Sequence, residues 1–258
     1  MTELYGQKMP LIITALCNFL LGAVVLTGWY IQSNEIIQIL PHFAQMQFNT
    51  ALSFLLSGVG LFAIVKKLNS VALSCGVFIA LIGLLTLLQY IFALDFAIDQ
   101  LLMDGYVTVK TSHPGRMAPN SALCLLFVGA VIILFSTKKQ SPGIQLAIEM
   151  LSLLTLVFAT IAFVGYMIDE EKAYAWGTLT RMALHTSIGF IILGLGMLTA
   201  IWSYRSKTFA AIPLSIPVLL SFIILLLDML NPAGVAIGVA YVPLVFFSLL
   251  YSRKEMAI

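Results

Sequence analysis

The stretch RMAPNSALCLLFVG, residues 116–129, begins with a cation, a proline and two small polar residues, then runs apolar to a glycine. Two other stretches share its layout: QMQFNTALSFLLSG at residues 45–58 and RMALHTSIGFIILG at residues 181–194. The common pattern is [QR]-M-x-x-[NH]-[ST]-[AS]-[LI]-x-[FL]-[LI]-x-x-G. Matching polar and glycine positions are not produced by hydrophobicity alone, so the three copies are read as an internal repeat. Pro119 fixes their register, because proline is favoured in a helix's first turn, where its missing N–H costs nothing.

Around these copies the chain is apolar: 61% of its 258 residues are hydrophobic and 9% charged, against about 25% charged in ordinary soluble domains. This is the composition of a membrane protein. Crossing a hydrocarbon core takes runs of roughly 20 apolar residues, and such runs are helical because the backbone must satisfy its own hydrogen bonds there. About eight are expected, near residues 10–31, 47–65, 70–94, 119–136, 143–168, 183–204, 211–230 and 233–251. The first is read as a retained helix rather than a cleaved signal peptide: its apolar core is long, Glu3 precedes Lys8, and bulky residues follow it.

Charge placement orients these spans. Lys8, Lys66, Lys67, Lys138, Lys139, Arg205, Lys207, Arg253 and Lys254 fall on one side; only Lys110, Arg116, Lys172 and Arg181 fall on the other. Lysine and arginine stay cytoplasmic, so both termini are expected inside. The outer connections collect Glu35, Asp95, Asp99, Asp104, Asp169, Glu170 and Glu171, with Trp29, Tyr30, Tyr90, Phe92 and Tyr166 where an aromatic belt would lie.

Each motif copy follows a helix that ends in an aromatic and a loop on the outer side. The repeating unit is therefore a two-helix hairpin, and three such units are parallel repeats about an axis along the membrane normal. The expected fold is all-α and polytopic: a three-repeat core over residues 1–208 and a C-terminal hairpin over 209–258. That last hairpin lacks the motif; Gly234 and Gly238 suit it to close helix contact, as an adaptor or a dimerising element.

The repeat places Asn49, Asn120 and His185 at one depth, followed by Thr50, Ser121 and Thr186. Two readings compete. The six residues line a shallow outward cavity beneath the charges of Arg116 and Arg181, or they cap helices and join neighbours by hydrogen bonds. The two arginines either bind a carboxylate or a lipid headgroup, or pair with Asp95, Asp99, Asp169 or Glu170 of their own loops. Asp228 is the most nearly intramembrane acid, either functional or capping the turn at NPAG. Glu149 lies about one turn into its helix, within reach of the interface.

Met46, Met117 and Met182 recur with the motif, but His42, His113 and His185 are not equivalent positions, so neither a metal nor a haem cofactor is expected. Cys17, Cys75 and Cys124 form no CxxC pair and fall inside expected helices, where packing is their role. No nucleophile elbow, HExxH or phosphate-cradling loop occurs, which disfavours an enzyme.

PGRMAPNSALCLLFVG, MQFNTALSFLLSG, LLTLLQYIFALDFAIDQLL and MALHTSIGFIILGLGML together resemble the multi-helix membrane input region of bacterial sensor histidine kinases and related diguanylate cyclases, over residues from about 40 to 254. The resemblance implies a sensory module of the bacterial cytoplasmic membrane that passes an outer stimulus, such as a small ligand, to a cytoplasmic output domain or partner protein. Neither kinase nor cyclase motifs follow SRKEMAI, so output is expected from a continuation of the chain or from that partner. A small transporter or channel, and a structural subunit using Gly189, Gly194 and Gly196 as contact surfaces, are the alternatives. The bilayer is an expected partner, a homodimer is possible through the last hairpin, and a nucleic acid is not expected.

Overall fold

A computed structural model describes residues 2–107, 109–137 and 141–205. Its elements are helical throughout: α1 (Thr2–Tyr30), a short α2 (Asn34–Gln38), α3 (Phe48–Val65), α4 (Asn69–Phe92), α5 (Pro119–Ser136), α6 (Pro142–Met167), a 3-10 turn at Glu171–Ala173, and α7 (Leu184–Arg205). Six of them are long and apolar enough to cross a bilayer. The spans expected at 211–230 and 233–251 lie outside the described residues, as do Asp228, Gly234 and Gly238.

The six observed spans start and stop within a few residues of expectation, except that α1 begins well before its apolar run. Glu3, Leu4, Gln7, Lys8 and Met9 are good helix formers, so the helix continues out of the apolar segment, with Pro10 inside it. The three motif helices begin at equivalent residues, Phe48, Pro119 and Leu184. Gln47 and Ala118, which precede the first two, are both extended, at φ −66°, ψ 151° and φ −60°, ψ 145°.

Each motif helix returns antiparallel along the helix before it. In the first hairpin Gly22 lies against Ala51 and Leu55 while Gly58 lies against Ala15 and Phe19. In the second, Gly83 meets Ala122 and Leu126, and Gly129 meets Gly76 and Ala80. In the third, Gly194 rests on Leu156. Buried small residues on the outgoing helices recur at seven-residue spacing: Ala15 and Gly22, Gly76 and Gly83, Ser152 and Ala159. That period keeps them on one seam, and small side chains let two backbones approach closely where lipid supplies no hydrophobic drive for helix association.

The aromatic that closes each seam follows seven residues later: Trp29, Tyr90 and Tyr166. Trp29 Nε1 donates to the Met46 carbonyl at 3.0 Å, Tyr90 Oη to Met117 at 2.9 Å and Tyr166 Oη to Met182 at 2.8 Å. Of the five residues expected in an interfacial belt, these three therefore turn inward, whereas Tyr30 and Phe92 are exposed. The inward turn has a physical cause: each motif methionine carbonyl precedes its helix and takes no intrahelical donor, and a ring N–H or O–H satisfies it. Tyr90→Phe and Tyr166→Phe should each lower stability by about 1 kcal/mol, read by unfolding in detergent; unchanged stability in both would contradict this role.

The three hairpins also pack on one another in order. The first meets the second through α3 against α4 and α5, with Gly60 facing Cys75 and Ile132. The second meets the third through α5 and α6. The third returns to the first: Gly189 faces Leu21 and Phe54, Gly196 faces Thr14, and the Phe54 and Phe190 rings lie 4.8 Å apart. The glycines of α7 are thus occupied within the bundle. Consistent with this arrangement, 61%, 61% and 67% of the residues in the 18-residue apolar stretches of the motif helices α3, α5 and α7 are buried, against 33%, 33% and 44% in those of α1, α4 and α6.

Candidate functional site

All three long connections, 31–47, 93–118 and 168–183, lie at the motif end. The carbonyl eight residues beyond each closing aromatic belongs to Ile37, Ile98 and Tyr174. Two of these carbonyls bridge neighbouring repeats. Asn49 Nδ2 donates to Ile98 at 2.9 Å, and Asn120 Nδ2 donates to Tyr174 at 3.4 Å. Each motif asparagine thus ties its own repeat to the loop of the next one.

His185 occupies the third such position and breaks the pattern. It is buried at 7% exposure, and among the described residues neither ring nitrogen has a hydrogen-bond partner. The equivalent carbonyl, that of Ile37, accepts from the Met46 N–H of its own loop at 2.8 Å. A buried donor or acceptor left unsatisfied costs about 1–3 kcal/mol. His185→Asn, which places at 185 the residue found at 49 and 120, should therefore raise stability by about 1 kcal/mol in detergent unfolding. A lower stability would contradict the equivalence of the three positions.

Thr50, Ser121 and Thr186 are buried beside these residues. The Ser121 N–H donates to the Asn120 Oδ1 at 3.0 Å, so part of the polar character of this region is consumed in the first turn of α5.

The two arginines sit in different surroundings. Arg116 is buried at 3% exposure; its Nε donates to Asp99 Oδ2 at 2.7 Å, and its Nη2 lies 3.7 Å from Asp95. Gln89 Nε2 reaches both Asp99 oxygens at 3.1 and 3.2 Å, while its Oε1 accepts from the Phe96 N–H at 2.9 Å. The guanidinium lies 5.5 Å from the Tyr90 ring centre. A buried charge requires such a set of partners.

Arg181 is partly exposed and pairs with Glu171, whose other cation is Lys110 at 3.4 Å. Partial burial pushes the Glu171 carboxyl up, but the hydrogen bond and charge of Arg181 and the charge of Lys110 outweigh it and hold the group below its ordinary range. The expected acids for this arginine were Asp169 and Glu170; the 3-10 turn brings the next residue to it instead.

Loop 93–118 joins these groups across the motif end. Gln45 donates to its Val107 carbonyl at 2.7 Å, Ser112 and Thr180 are hydrogen-bonded at 3.0 Å, and the Arg181 N–H donates to the Lys110 carbonyl at 3.2 Å.

Compared with family models, curated proteins and solved structures, the chain matches none of them. Among the described residues no cluster of three or more His, Cys, Asp or Glu is arranged to hold a metal ion. The contributions of Gln89 and of the closing aromatics were not anticipated as site features. The aromatics did carry a signal, since one precedes every motif copy; Gln89 carried none.

Proposed function

We propose that this multi-pass membrane protein is a sensory input module of bacterial signal transduction, receiving a stimulus at the motif end and passing it to a cytoplasmic output domain or partner protein. The observation that supports the reading is the inequality of three otherwise matched seams. Asn49 and Asn120 each bridge to the next loop, whereas His185 is buried without a partner among the described residues. A second arrangement that satisfied His185 would lie within a few kcal/mol. A stimulus shifts such an equilibrium only if it favours one arrangement over the other.

In this reading Asn49, Thr50, Asn120, Ser121, His185 and Thr186 form the responsive region, Arg116 and Arg181 hold the loops above it, and Asp228 belongs to the output hairpin. Catalysis is assigned to the output partner and not to these residues. The resemblance to sensor-kinase input regions points the same way, and a homodimer through the last hairpin fits a two-chain output.

The test is a chimera joining the whole chain to a reporter kinase in cells. Constitutive or lost signalling in an Asn49→Ala, Asn120→Ala, His185→Ala triple variant that still inserts and melts cooperatively supports the reading. Unchanged signalling in that variant, or solute flux through proteoliposomes of the unmodified protein, overturns it.

A further inference from the structure

Within loop 93–118, residues 95–100 and 113–116 face each other across a cleft of about 350 Å3 lined by Asp95, Asp99, Gln100, His113, Pro114 and Arg116. The two segments approach closely because Gly115 adopts φ +72°, and a Cβ there would lie 2.6 Å from the Asp99 carbonyl. The volume lies at the lower end of the roughly 300–1,000 Å3 range of small-molecule pockets, so the cleft suits a compact ligand.

Its floor is a fixed cation with donors to spare. A guanidinium has five N–H donors in a planar fork. In Arg116 the Nε donor is committed to Asp99, and Nη2 makes only a 3.5 Å contact to the Leu94 carbonyl. Nη1 has no hydrogen bond among the described residues, and Arg116 lines the cleft. The arginine itself is held by Asp99, with Gln89 behind it and the Tyr90 ring alongside. A planar fork presented this way matches a carboxylate.

A bare anion is nevertheless poorly matched to the cleft as a whole. Asp99 offsets the charge of Arg116, and Asp95 adds a further negative charge at the rim. The Asp95 side chain is 77% exposed; its Oδ1 accepts from the Ala97 N–H at 2.9 Å and lies 3.7 Å from Nη2, a spacing too long for a hydrogen bond, while its Oδ2 has no hydrogen bond among the described residues and can take another cation. A molecule carrying both signs a few ångströms apart satisfies both groups. We infer that this cleft binds a small zwitterion of the α-amino-acid type, with its carboxylate on the Arg116 Nη atoms and its ammonium on Asp95. The inference deepens the sensory reading by giving it a ligand class, but binding is measurable without any output.

The test uses the purified full chain in nanodiscs, titrated calorimetrically with L-alanine, L-glutamine and L-leucine as zwitterions, acetate as a bare carboxylate and ethylammonium as a bare amine. At least one zwitterion should bind, with acetate and ethylammonium about tenfold or more weaker. Asp95→Asn, at an exposed side chain, should weaken that binding about tenfold while leaving thermal unfolding unchanged, and Arg116→Lys should weaken it by losing the fork. Asp104→Asn, outside the cleft, should leave it intact. Absence of binding by all three zwitterions, equal binding of acetate, or undiminished binding in Asp95→Asn overturns the assignment. Zwitterion binding in a chimera that gives no kinase response would count against the sensory reading and leave the site standing.

Discussion

Replacing Asp99 by alanine should cost the bundle about 3–5 kcal/mol, the penalty for leaving a buried charge without its partner. Asp99 and Arg116 expose only 9% and 4% of their side chains, and the 2.7 Å contact between them is backed by Gln89. Removing the carboxylate leaves the guanidinium only its long contact to the exposed Asp95 and at the same time leaves the Gln89 amide donor without its acceptor. The loss should be read by reversible unfolding in mixed micelles. The double variant Asp99→Ala, Arg116→Met removes the stranded charge and should recover much of it, because replacing both members of a buried pair is far cheaper than breaking one. A near-neutral Asp99→Ala, or a double variant worse than the sum of the singles, would contradict the pairing.

The second large effect is expected at Gly129. A Cβ there would lie 2.5 Å from the Ala80 amide nitrogen and 2.7 Å from the Gly76 carbonyl, both backbone atoms that cannot rotate away. Gly129→Val must therefore push α5 off α4 along their whole seam, at a cost of about 3 kcal/mol or more. Gly143 is the matching control: nothing lies within 4 Å of its would-be Cβ, and it sits in the first turn of α6. Gly143→Ala should stabilise slightly, by about 0.5–1 kcal/mol, through helix propensity. Equal behaviour of the two substitutions would mean that the α4–α5 seam is not as close as described.

Much of this architecture was legible in the sequence because two of its signals are periodic or positional. Apolar runs located the six spans, and the motif placed the starts of α3, α5 and α7 at equivalent residues, with Pro119 marking the register. The loops were not legible. A bond such as Asn49 to Ile98 or Gln45 to Val107 joins residues far apart in the chain, and no local period records such a pairing. Burial was equally hidden: Arg116 and Arg181 have the same place in the motif, yet one is enclosed by Gln89, Asp99 and Tyr90 and the other lies partly exposed beside Glu171. The aromatics mislead for a related reason, since a tyrosine that faces lipid and one that caps a carbonyl sit at the same height.

The proposed sensory role requires the motif end, with the cleft of loop 93–118, to face away from the cytoplasm. The most direct measurement is labelling of single cysteines, introduced after Cys17, Cys75 and Cys124 are replaced by serine or alanine, with a membrane-impermeant maleimide in spheroplasts. Asp104→Cys and Lys172→Cys should label without permeabilisation, and Lys67→Cys only after it. Labelling of Lys67→Cys in sealed spheroplasts, with Asp104→Cys and Lys172→Cys protected, would invert the molecule and contradict the account.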